Sequence, residues 1–512
     1  KKAVKVEIID QLTGLALLTD TAFQFETSDN SRKTFPVSLP LNNAYKNLIC
    51  KVTYMPNANA DENSHVIGWS DNFSVRPSKF TITAEKNDGT TLNNASANGT
   101  PKEIAGTDFK LIATTNVVNY DGTPVIDHAG FSSNPVPFNT AITPHAVTTP
   151  LAILGGVSFG QAIPAPPLPA LPTSSKATGT FTYSEVGYFI IKSGGVVDSG
   201  YTSEDQPIPG TDTDCLQGSA SNDRTTNGMY GCNISSGASG DIGRFTPDHF
   251  SFSAPSIENR ADLSCMPASS FTYTGEAFQV EFKLIAENKS NMPTKNYEGS
   301  FAKLDNSVIG NFNFGAIDLA DATKPLAATE LTLSLSPVSS SGSWDKGEAI
   351  ITASLGLSRS TPSGPFESFN LGIAPKDSDG ILLSSYDLDT SLPSDSNDRK
   401  LLDATKIRFG RLKMDNSHGS ELTALSSPVY TEYFKGSFFV LNTADNCTAI
   451  NLSQLRFNGD VNPEVAVGSG TSTATLANTP VASGQADLAF SAPAAGNTGS
   501  IDISVNSLFE WL

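Results

Sequence analysis

Hydrophobic and polar residues alternate with a period of two along much of this 512-residue chain. The alternation is clear in the segments AVKVEII, FSVRPSKFTITA, GTFTYSEVGYFIIK, AFQVEFKLIA, ELTLSLSPV, EAIITASLGL and IDISVNSLF. Such a period puts successive side chains on opposite faces of a strand, and short clusters of turn-forming residues separate the segments. The best helical candidate, DLADATKPLAATEL, is interrupted by Pro325. The pattern predicts an all-β fold of tandem Ig-like β-sandwiches that form an elongated rod.

One phrase, Pro-x-x-Phe-x-x-x-Ala, occurs twice, beginning at Pro77 and at Pro247. Both times the same elements follow in the same order: Gly-x-x-Phe, Phe-Lys-Leu-Ile-Ala, and Asn-Tyr with an acid and a glycine. This ordered recurrence predicts two copies of one sandwich, each entered through a rigid strand that a proline begins. Residues 77–122 and 247–299 are expected to share one sheet topology, with Phe80 and Phe250 at equivalent buried sites.

Domain boundaries are predicted at turn-rich and proline-rich segments, because the chain is too long for one core of ~250–300 residues. The predicted units are a partial N-terminal β-sandwich (1–76), the first repeat copy (77–162), a Pro-rich linker (163–175), a small β unit with a disulfide loop (176–244), the second repeat copy (245–340), a further β-sandwich (341–429) and a truncated C-terminal β-sandwich (430–512). The linker composition favours a stiff polyproline II spacer.

The last predicted strand places Ile501, Ile503 and Val505 on one half-buried face. The apolar residues that follow, up to Trp511 and Leu512, predict an unpaired sheet edge that a strand of another chain would extend.

The net charge and the positions of the cysteines argue against several classes of protein. The net charge of −19 opposes binding to nucleic acid or to anionic lipid, and no apolar run approaches the ~18 residues of a membrane span. None of the five cysteines forms Cys-x-x-Cys. Cys215 and Cys232 bracket a polar, Gly-rich loop, which predicts a disulfide and an oxidising compartment; two free thiols are the alternative. Cys265 and Cys447 are a second candidate pair, with Cys50 left free.

Acidic loops are the candidate metal site. Asp377, Asp379, Asp387 and Asp389 have the ligand type that calcium prefers, although the spacing of an EF-hand is absent. Solvated turns are the alternative interpretation. No other cofactor is expected.

Catalytic motifs are weak. The Gly-x-Ser-x-Gly motif around Ser158 lacks the following helix that a nucleophile elbow needs, because prolines follow it closely. No two histidines have the spacing of a metal pair, and His249 in the second copy corresponds to Lys79 in the first, which predicts an exposed position.

Several longer segments between about Phe73 and Cys447 resemble those of a known protein family. They are IGRFTPDHF, TYSEVGYF, FTYTGEAF, NYEGSF, APKDSDG and RFGRLKMDNSHGSE…YTEYFKGSFFVLNTADNCT. These phrases resemble the large C-terminal region of MshQ-like proteins, a family named for biogenesis of the mannose-sensitive haemagglutinin pilus, a bacterial type IV pilus. The series Gly-Arg-Leu…Gly-Ser-Glu…Asp-x-Cys-Thr (410–448) is the most specific part.

The resemblance implies a secreted protein of the bacterial surface or pilus, with pilus or fibre subunits and a glycan or surface receptor as partners. It supplies no catalytic residue. Family members carry a cysteine where this chain has Trp69 and Ser70, which implies that Cys50 lacks its usual partner. Family chains also continue beyond Leu512, so this chain is expected to be a fragment.

The expected function is therefore non-enzymatic adhesion or display. A calcium-dependent, carbohydrate-binding lectin-like module is one alternative, which calcium at Asp377 and Asp379 would favour. A secreted hydrolase is the other, which a cleft with paired acids would favour.

Overall fold

Strands dominate the computed structural model. It describes residues 2–30, 32–34, 43–54, 56, 64–96, 99–101, 103–126, 154–155, 175–206, 214–224, 228–320, 338–358, 361–391 and 396–505. Helices in these ranges are short 3-10 turns: Thr27–Asp29, Ser203–Asp205, Ala261–Leu263, Gly299–Phe301, Ile309–Phe312 and Leu452–Gln454. The predicted all-β class is confirmed. The predicted linker lies outside the described residues except for Ser175.

Residues 1–248 and 288–301 form one compact unit, and residues 249–287 and 302–512 form the other. The first unit begins with an antiparallel sheet in the order β2-β1-β3-β4. Its strands are β1 (Lys2–Asp10), β2 (Ala16–Phe25), β3 (Tyr45–Tyr54) and β4 (Val66–Val75). Strand β1 buries Val4, Val6 and Ile8 on one face, as its alternation predicts.

The rest of the first unit is a sandwich. Its strands are β5 (Thr81–Lys86), β6 (Glu103–Ile104), β7 (Asp108–Thr114), β8 (Val125–Ile126), β9 (Leu154–Gly155), β10 (Lys176–Tyr183), β11 (Gly187–Phe189), β12 (Val196–Asp198), β13 (Ile234–Ser235) and β14 (Ile242–Thr246). They form the sheets β5-β7-β10-β9, β11-β14-β6 and β13-β12-β8. The sheets bury an aromatic core between them, in which the rings of Phe109 on β7 and Phe245 on β14 are 5.4 Å apart.

The second unit contains a sandwich of the same design. Its strands are β15 (His249–Glu258), β16 (Thr272–Tyr273), β17 (Ala277–Glu287), β18 (Gly315–Asp318), β19 (Val338–Ser341), β20 (Glu348–Gly356), β21 (Phe366–Ile373) and β22 (Lys400–Arg408). They form the sheets β15-β17-β20-β19 and β16-β22-β21-β18. Phe278 on β17 meets Phe369 on β21 edge to face at 6.1 Å between centroids, which joins the two sheets.

The two sandwiches share part of their topology, as the repeat predicts, although the opposing layer is two three-stranded sheets in the first copy and one four-stranded sheet in the second. Strand order in the first sheet is the same, and both β6 and β16 pair in parallel with a later strand. Phe80 and Phe250 are both fully buried, and each forms a parallel bridge, with Ser236 and Leu383 respectively. The shared glycine has φ of +85° at Gly106 and +92° at Gly275, a conformation that requires glycine.

Two predicted boundaries divide these sheets and are wrong. Residues 176–244 are not a separate unit, because β10 pairs with β7 and completes the first copy. In the same way, β20 pairs with β17, so part of the predicted domain 341–429 belongs to the second copy. The turn-rich segments that suggested boundaries are long connections within one sandwich, and sequence composition does not distinguish the two cases.

The C-terminal part of the second unit is a third β domain. Its strands are β23 (Gly410–Met414), β24 (Leu425–Ser426), β25 (Val429–Phe434), β26 (Phe439–Leu441), β27 (Leu455–Phe457), β28 (Glu464–Val467), β29 (Gly470–Ala482), β30 (Gln485–Phe490) and β31 (Ile503–Val505). The boundary predicted at residue 430 falls inside β25. Ile501 and Ile503 pack partly buried on this core, and Val505 is 37% exposed. Trp511 and Leu512 lie outside the described residues.

We predict that Phe80→Ala and Phe250→Ala each lower the free energy of unfolding by about 3–5 kcal/mol, because each truncation empties a closely packed site in an equivalent core. Thermal or denaturant unfolding of each variant measures the loss. Phe438 is 58% exposed, so Phe438→Ala is the matched control and should change stability little. A large loss at only one of the two core positions would contradict their equivalence.

Candidate functional site

Three places in the described chain combine polar groups in an unusual way: a buried charge cluster around Arg260, a buried carboxyl at Glu185 and an open cleft in the C-terminal domain.

The charge cluster is centred on Arg260, which follows β15 and has no exposed side-chain surface. Its Nη1 donates to Asp445 Oδ1 at 3.0 Å, and its Nη2 donates to Glu276 Oε1 and to the Thr448 hydroxyl at 2.9 Å each. The guanidinium also lies 5.0 Å from the ring centroid of Tyr273. One cation is thus held by two carboxylates and an aromatic face, the combination that a buried guanidinium requires.

Further hydrogen bonds extend the cluster. The hydroxyl of Tyr273 donates to Asp445 Oδ2 at 3.0 Å, and Asn442 donates to Tyr273 at 2.6 Å. Arg408 donates to Asn442 at 2.6 Å. Arg260 and Tyr273 belong to the second copy, whereas Asn442 and Asp445 belong to the C-terminal domain, so the cluster joins these two parts of one unit.

The pKa values of the two carboxyl groups, Glu276 and Asp445, shift in opposite directions. Burial raises the pKa of Glu276, and the attraction of Arg260 only partly opposes this. Burial also acts to raise the pKa of Asp445, but Arg260, the Thr448 hydroxyl and the backbone N–H of Cys447 outweigh it and hold that pKa below its usual value. Glu276 meets the guanidinium at two atoms, with Oε2 2.9 Å from Nε and Oε1 2.9 Å from Nη2, and Asp445 meets it at one, so both carboxylates hold the cation. Since the cluster is closed to solvent, its role is structural.

Both predicted disulfides are present. Cys215–Cys232 has a Cα separation of 5.0 Å, and Cys265–Cys447 has one of 5.3 Å, beside the charge cluster. Arg76 also holds the first loop, because its Nε donates to the carbonyl of Gly231 at 2.9 Å. Cys50 is free and half-buried. Two disulfides indicate an oxidising compartment and fit a secreted or extracellular protein. No helix in the described residues has the length and apolar character to cross a membrane.

The predicted calcium ligands do not form one cluster. Asp377 Oδ1 accepts the backbone N–H of Asp379 and of Ile381 at 2.9 Å each. Asp387 accepts from Leu401 and pairs with Lys400, while Asp389 accepts from Ser391 within its own turn. Within the described ranges, no group of three or more His, Cys, Asp or Glu is placed to hold a metal ion. The contacts of Asp377 and Asp389 are those of capped turns, and Asp387 binds strand β22; the calcium site stays a prediction.

His249 is half-buried rather than exposed. Its Nε2 lies 3.0 Å from Glu287 Oε2 on the neighbouring strand β17. The comparison with Lys79 misled because Lys79 is exposed and precedes strand β5, whereas His249 lies on β15 beside Glu287. Ser158, His128 and His145 lie outside the described residues.

Glu185 is buried in the first unit, with 3% of its surface exposed. Its Oε2 accepts the backbone N–H of Asn296 at 2.9 Å. Burial raises the pKa of Glu185 to about 7, although hydrogen bonds from Asn296 and Lys295 act in the opposite direction. The side chain of Asn296 is buried as well, next to the Tyr183 hydroxyl. The phrases TYSEVGYF and NYEG therefore meet at one buried polar contact.

The open cleft lies in the C-terminal domain and has a volume of about 730 Å³. One wall is the loop 415–421, DNSHGSE, and the other is formed by residues 497–503. Asn416, Ser417 and His418 are exposed on the first wall, and Asp502 on the second. Of the three places, this one alone presents its polar groups to solvent. Sequence reasoning singled out this loop as part of a family motif but gave it no role.

Comparison with known families identifies two domains. Residues 218–401 match the model of DUF6701, third domain, and residues 408–512 match DUF6701, fourth domain. The two matches cover more than half of the chain. The likeness to MshQ-like proteins stays an interpretation of the sequence.

Other comparisons add little. No curated protein matches the chain significantly. Among solved structures, Escherichia coli alpha-2-macroglobulin activated by porcine elastase aligns at 9% identity with a TM-score of 0.13, over 99% of this chain and 48% of that one. The chain thus spans about half of that protein, and so low a score supports no statement about fold.

We predict that Arg260→Ala destabilises the protein by about 3–5 kcal/mol, because it leaves the buried carboxylates of Asp445 and Glu276 without their cation. Unfolding in urea measures the loss. Lys283→Ala is the control: it breaks an exposed pair with Glu348 and should cost at most about 1 kcal/mol. Equal losses of stability for the two substitutions would contradict a large contribution of the buried cluster to the free energy of unfolding.

We predict that Glu185 makes stability depend on pH. Its folded pKa, about 7, lies above the ordinary value of 4.5, so its contribution is full below pH 4.5 and is lost as the pH rises through 7. Glu185→Gln should therefore be more stable than the wild type at pH 8 by about 2–4 kcal/mol, at about 1.4 kcal/mol per pKa unit, and similar to it at pH 4.

Urea unfolding of both proteins at the two pH values provides the test. The exposed residue Glu281 supplies the matched control, since Glu281→Gln should show no such difference between pH 4 and pH 8. A gain for Glu185→Gln that is the same at both pH values would contradict a titrating buried carboxyl.

Proposed function

We propose that this chain, which carries the third and fourth domains of DUF6701, is a non-enzymatic adhesion or display protein on the surface or the type IV pili of a bacterium. The observation that carries the proposal is the closed joint between the second copy and the C-terminal domain. Arg260 and Asp445, together with the Cys265–Cys447 disulfide, hold the two parts in one arrangement. A fixed arrangement of successive domains suits a protein that presents a surface away from the cell.

Two further observations support it. Disulfides form and persist in secreted and surface proteins, where no reducing pool opens them. The strongly acidic composition, with a net charge of −19, favours solubility outside the cell and disfavours nucleic-acid partners. The sequence resemblance to MshQ-like proteins supplies the pilus as the specific setting.

The two alternative functions, a calcium-dependent lectin-like module and a secreted hydrolase, depend on different residues. A calcium-dependent lectin-like module has no support from the four aspartates, because Asp377 and Asp389 accept hydrogen bonds within separate turns and Asp387 binds Leu401 and Lys400. A secreted hydrolase would use the cleft, whose walls include Asp415, Glu421 and Asp502. Two of these, Asp415 and Asp502, are exposed, and Asp415 pairs with Lys413 at 3.1 Å. Glycosidases commonly keep their catalytic acid in a shielded environment that raises its pKa, so these positions favour binding over hydrolysis.

Location and attachment test the proposal directly. Antibodies against the purified chain should label intact cells of the source bacterium, and the chain should appear in the fraction sheared from the cell surface. Deleting its coding sequence should reduce attachment to a surface several-fold without slowing growth, and a restored copy should return attachment to the original level. A chain found only inside cells, or a deletion that leaves attachment unchanged, would overturn the proposal.

A further inference from the structure

The loop 415–421 is placed for contact with a ligand rather than for packing. Asn416, Ser417 and His418 are exposed, and no hydrogen bond or ion pair from their side chains is found among the described residues. Neighbouring residues fix the loop instead: Ser420 accepts the backbone N–H of Leu422, and Lys413 pairs with Asp415. The loop is therefore anchored at both ends while the side chains between them face the cleft.

The opposite wall is anchored in the same way. Asn497 accepts the backbone N–H of Ser469 at 2.8 Å and donates to the carbonyl of Pro493 at 3.0 Å. The backbone N–H of Asp502 donates to Asn458 at 2.8 Å, which leaves the carboxylate of Asp502 exposed at the wall. Both walls thus present polar side chains from a backbone that local hydrogen bonds hold in place.

Apolar side chains lie between the two walls. Leu425, Phe490 and Ile503 line the cleft and belong to, or pack on, the core of the C-terminal domain, and the buried Val467 lines it as well. The cleft therefore combines an apolar surface with flanking hydroxyl, amide, imidazole and carboxylate groups. A volume of about 730 Å³ is within the ~300–1,000 Å³ of small-molecule sites.

Charge selects among the ligands of that size. The described lining includes three acids, Asp415, Glu421 and Asp502, and contains neither lysine nor arginine. Asp415 is paired with Lys413, but a phosphate, sulfate or uronic acid would still meet the negative charges of Glu421 and Asp502. An uncharged molecule with many hydroxyl groups meets good acceptors in the carboxylates and both donors and acceptors in Asn416 and Ser417.

We propose that this cleft binds a neutral saccharide, with the C–H face of a sugar ring on the apolar surface and its hydroxyls on Asn416, His418 and Asp502. The inference rests on the proposed adhesion function, since it names the ligand class through which the chain attaches. The proposal involves no calcium; within the described residues, no group of three or more His, Cys, Asp or Glu is placed to hold a metal ion.

The test uses the purified complete chain on an array of neutral and acidic glycans, followed by titration calorimetry with the best free saccharide. We expect binding to neutral glycans only, unchanged by a calcium chelator. Asp502→Asn and His418→Ala should each weaken binding at least tenfold, because the first replaces a charged acceptor by a neutral amide and the second removes the imidazole. Asp262→Asn is the matched control, since Asp262 is exposed on a separate 3-10 turn outside the cleft, and it should keep the affinity within twofold.

Folding of the variants is checked by their melting temperatures, which should be unchanged because both cleft residues are exposed. The proposal is overturned if no neutral glycan binds at millimolar concentration, if the cleft substitutions leave affinity unchanged, if the chelator abolishes binding, or if the saccharide is cleaved. A chain that supports cell attachment but binds no glycan refutes this inference alone. Glycan binding in a chain that is absent from the cell surface refutes only the adhesion proposal.

Discussion

The second unit depends on one interaction, the burial of the Arg260 guanidinium between Asp445 and Glu276. A buried charge costs several kcal/mol unless its partners meet it in good geometry. Here the partners come from segments that are far apart in the chain, since 185 residues separate Arg260 from Asp445. The second copy and the C-terminal domain therefore satisfy this charge in one mutual arrangement only. The Cys265–Cys447 disulfide fixes the same arrangement covalently, with a sequence separation of 182.

The Arg260 cluster joins the second copy to the C-terminal domain, and a comparison of the two copies shows which of its residues the first copy lacks. Aligning the copies on Gly106 and Gly275 puts Ile104 opposite Tyr273 and Thr107 opposite Glu276. Both copies keep the glycine turn and the buried phenylalanines, because these residues make the sandwich itself. The first copy has neither the phenol of Tyr273 nor the carboxylate of Glu276, the two groups that take part in contact with the following domain. The repeat thus conveys topology, and residues that differ between copies mark what each copy does in addition.

Sequence reasoning succeeded where the information is local or repeated. Period-two alternation identified strands such as β1 and β17, and the ordered repeat identified two equivalent sandwiches with Phe80 and Phe250 in their cores. It failed where pairing is distant in the chain. Strand β7 pairs with β10, which follows a long connection, and nothing in the sequence near β7 indicates this pairing. The predicted domain boundary was therefore placed between the two strands. The Arg260 cluster was missed because arginine is ordinarily exposed, and only the fold brings Asp445 to it. The cleft was missed because its two walls come from separate loops.

In the C-terminal domain, the residues that stabilise the fold are therefore different from those that are exposed at the cleft. Its core and the Arg260 joint determine where the strands lie, and Ile501 and Ile503 pack on that core, so the exposed polar side chains of 415–421 and 497–502 need not contribute packing. Their anchors are short-range, such as the bonds of Ser420 and Asn497, and each leaves adjacent side chains exposed. An exposed polar side chain costs little to the folded state and is therefore available for a ligand. The acidic lining then limits that ligand to uncharged or cationic molecules, and the apolar surface between the walls favours one with an apolar face.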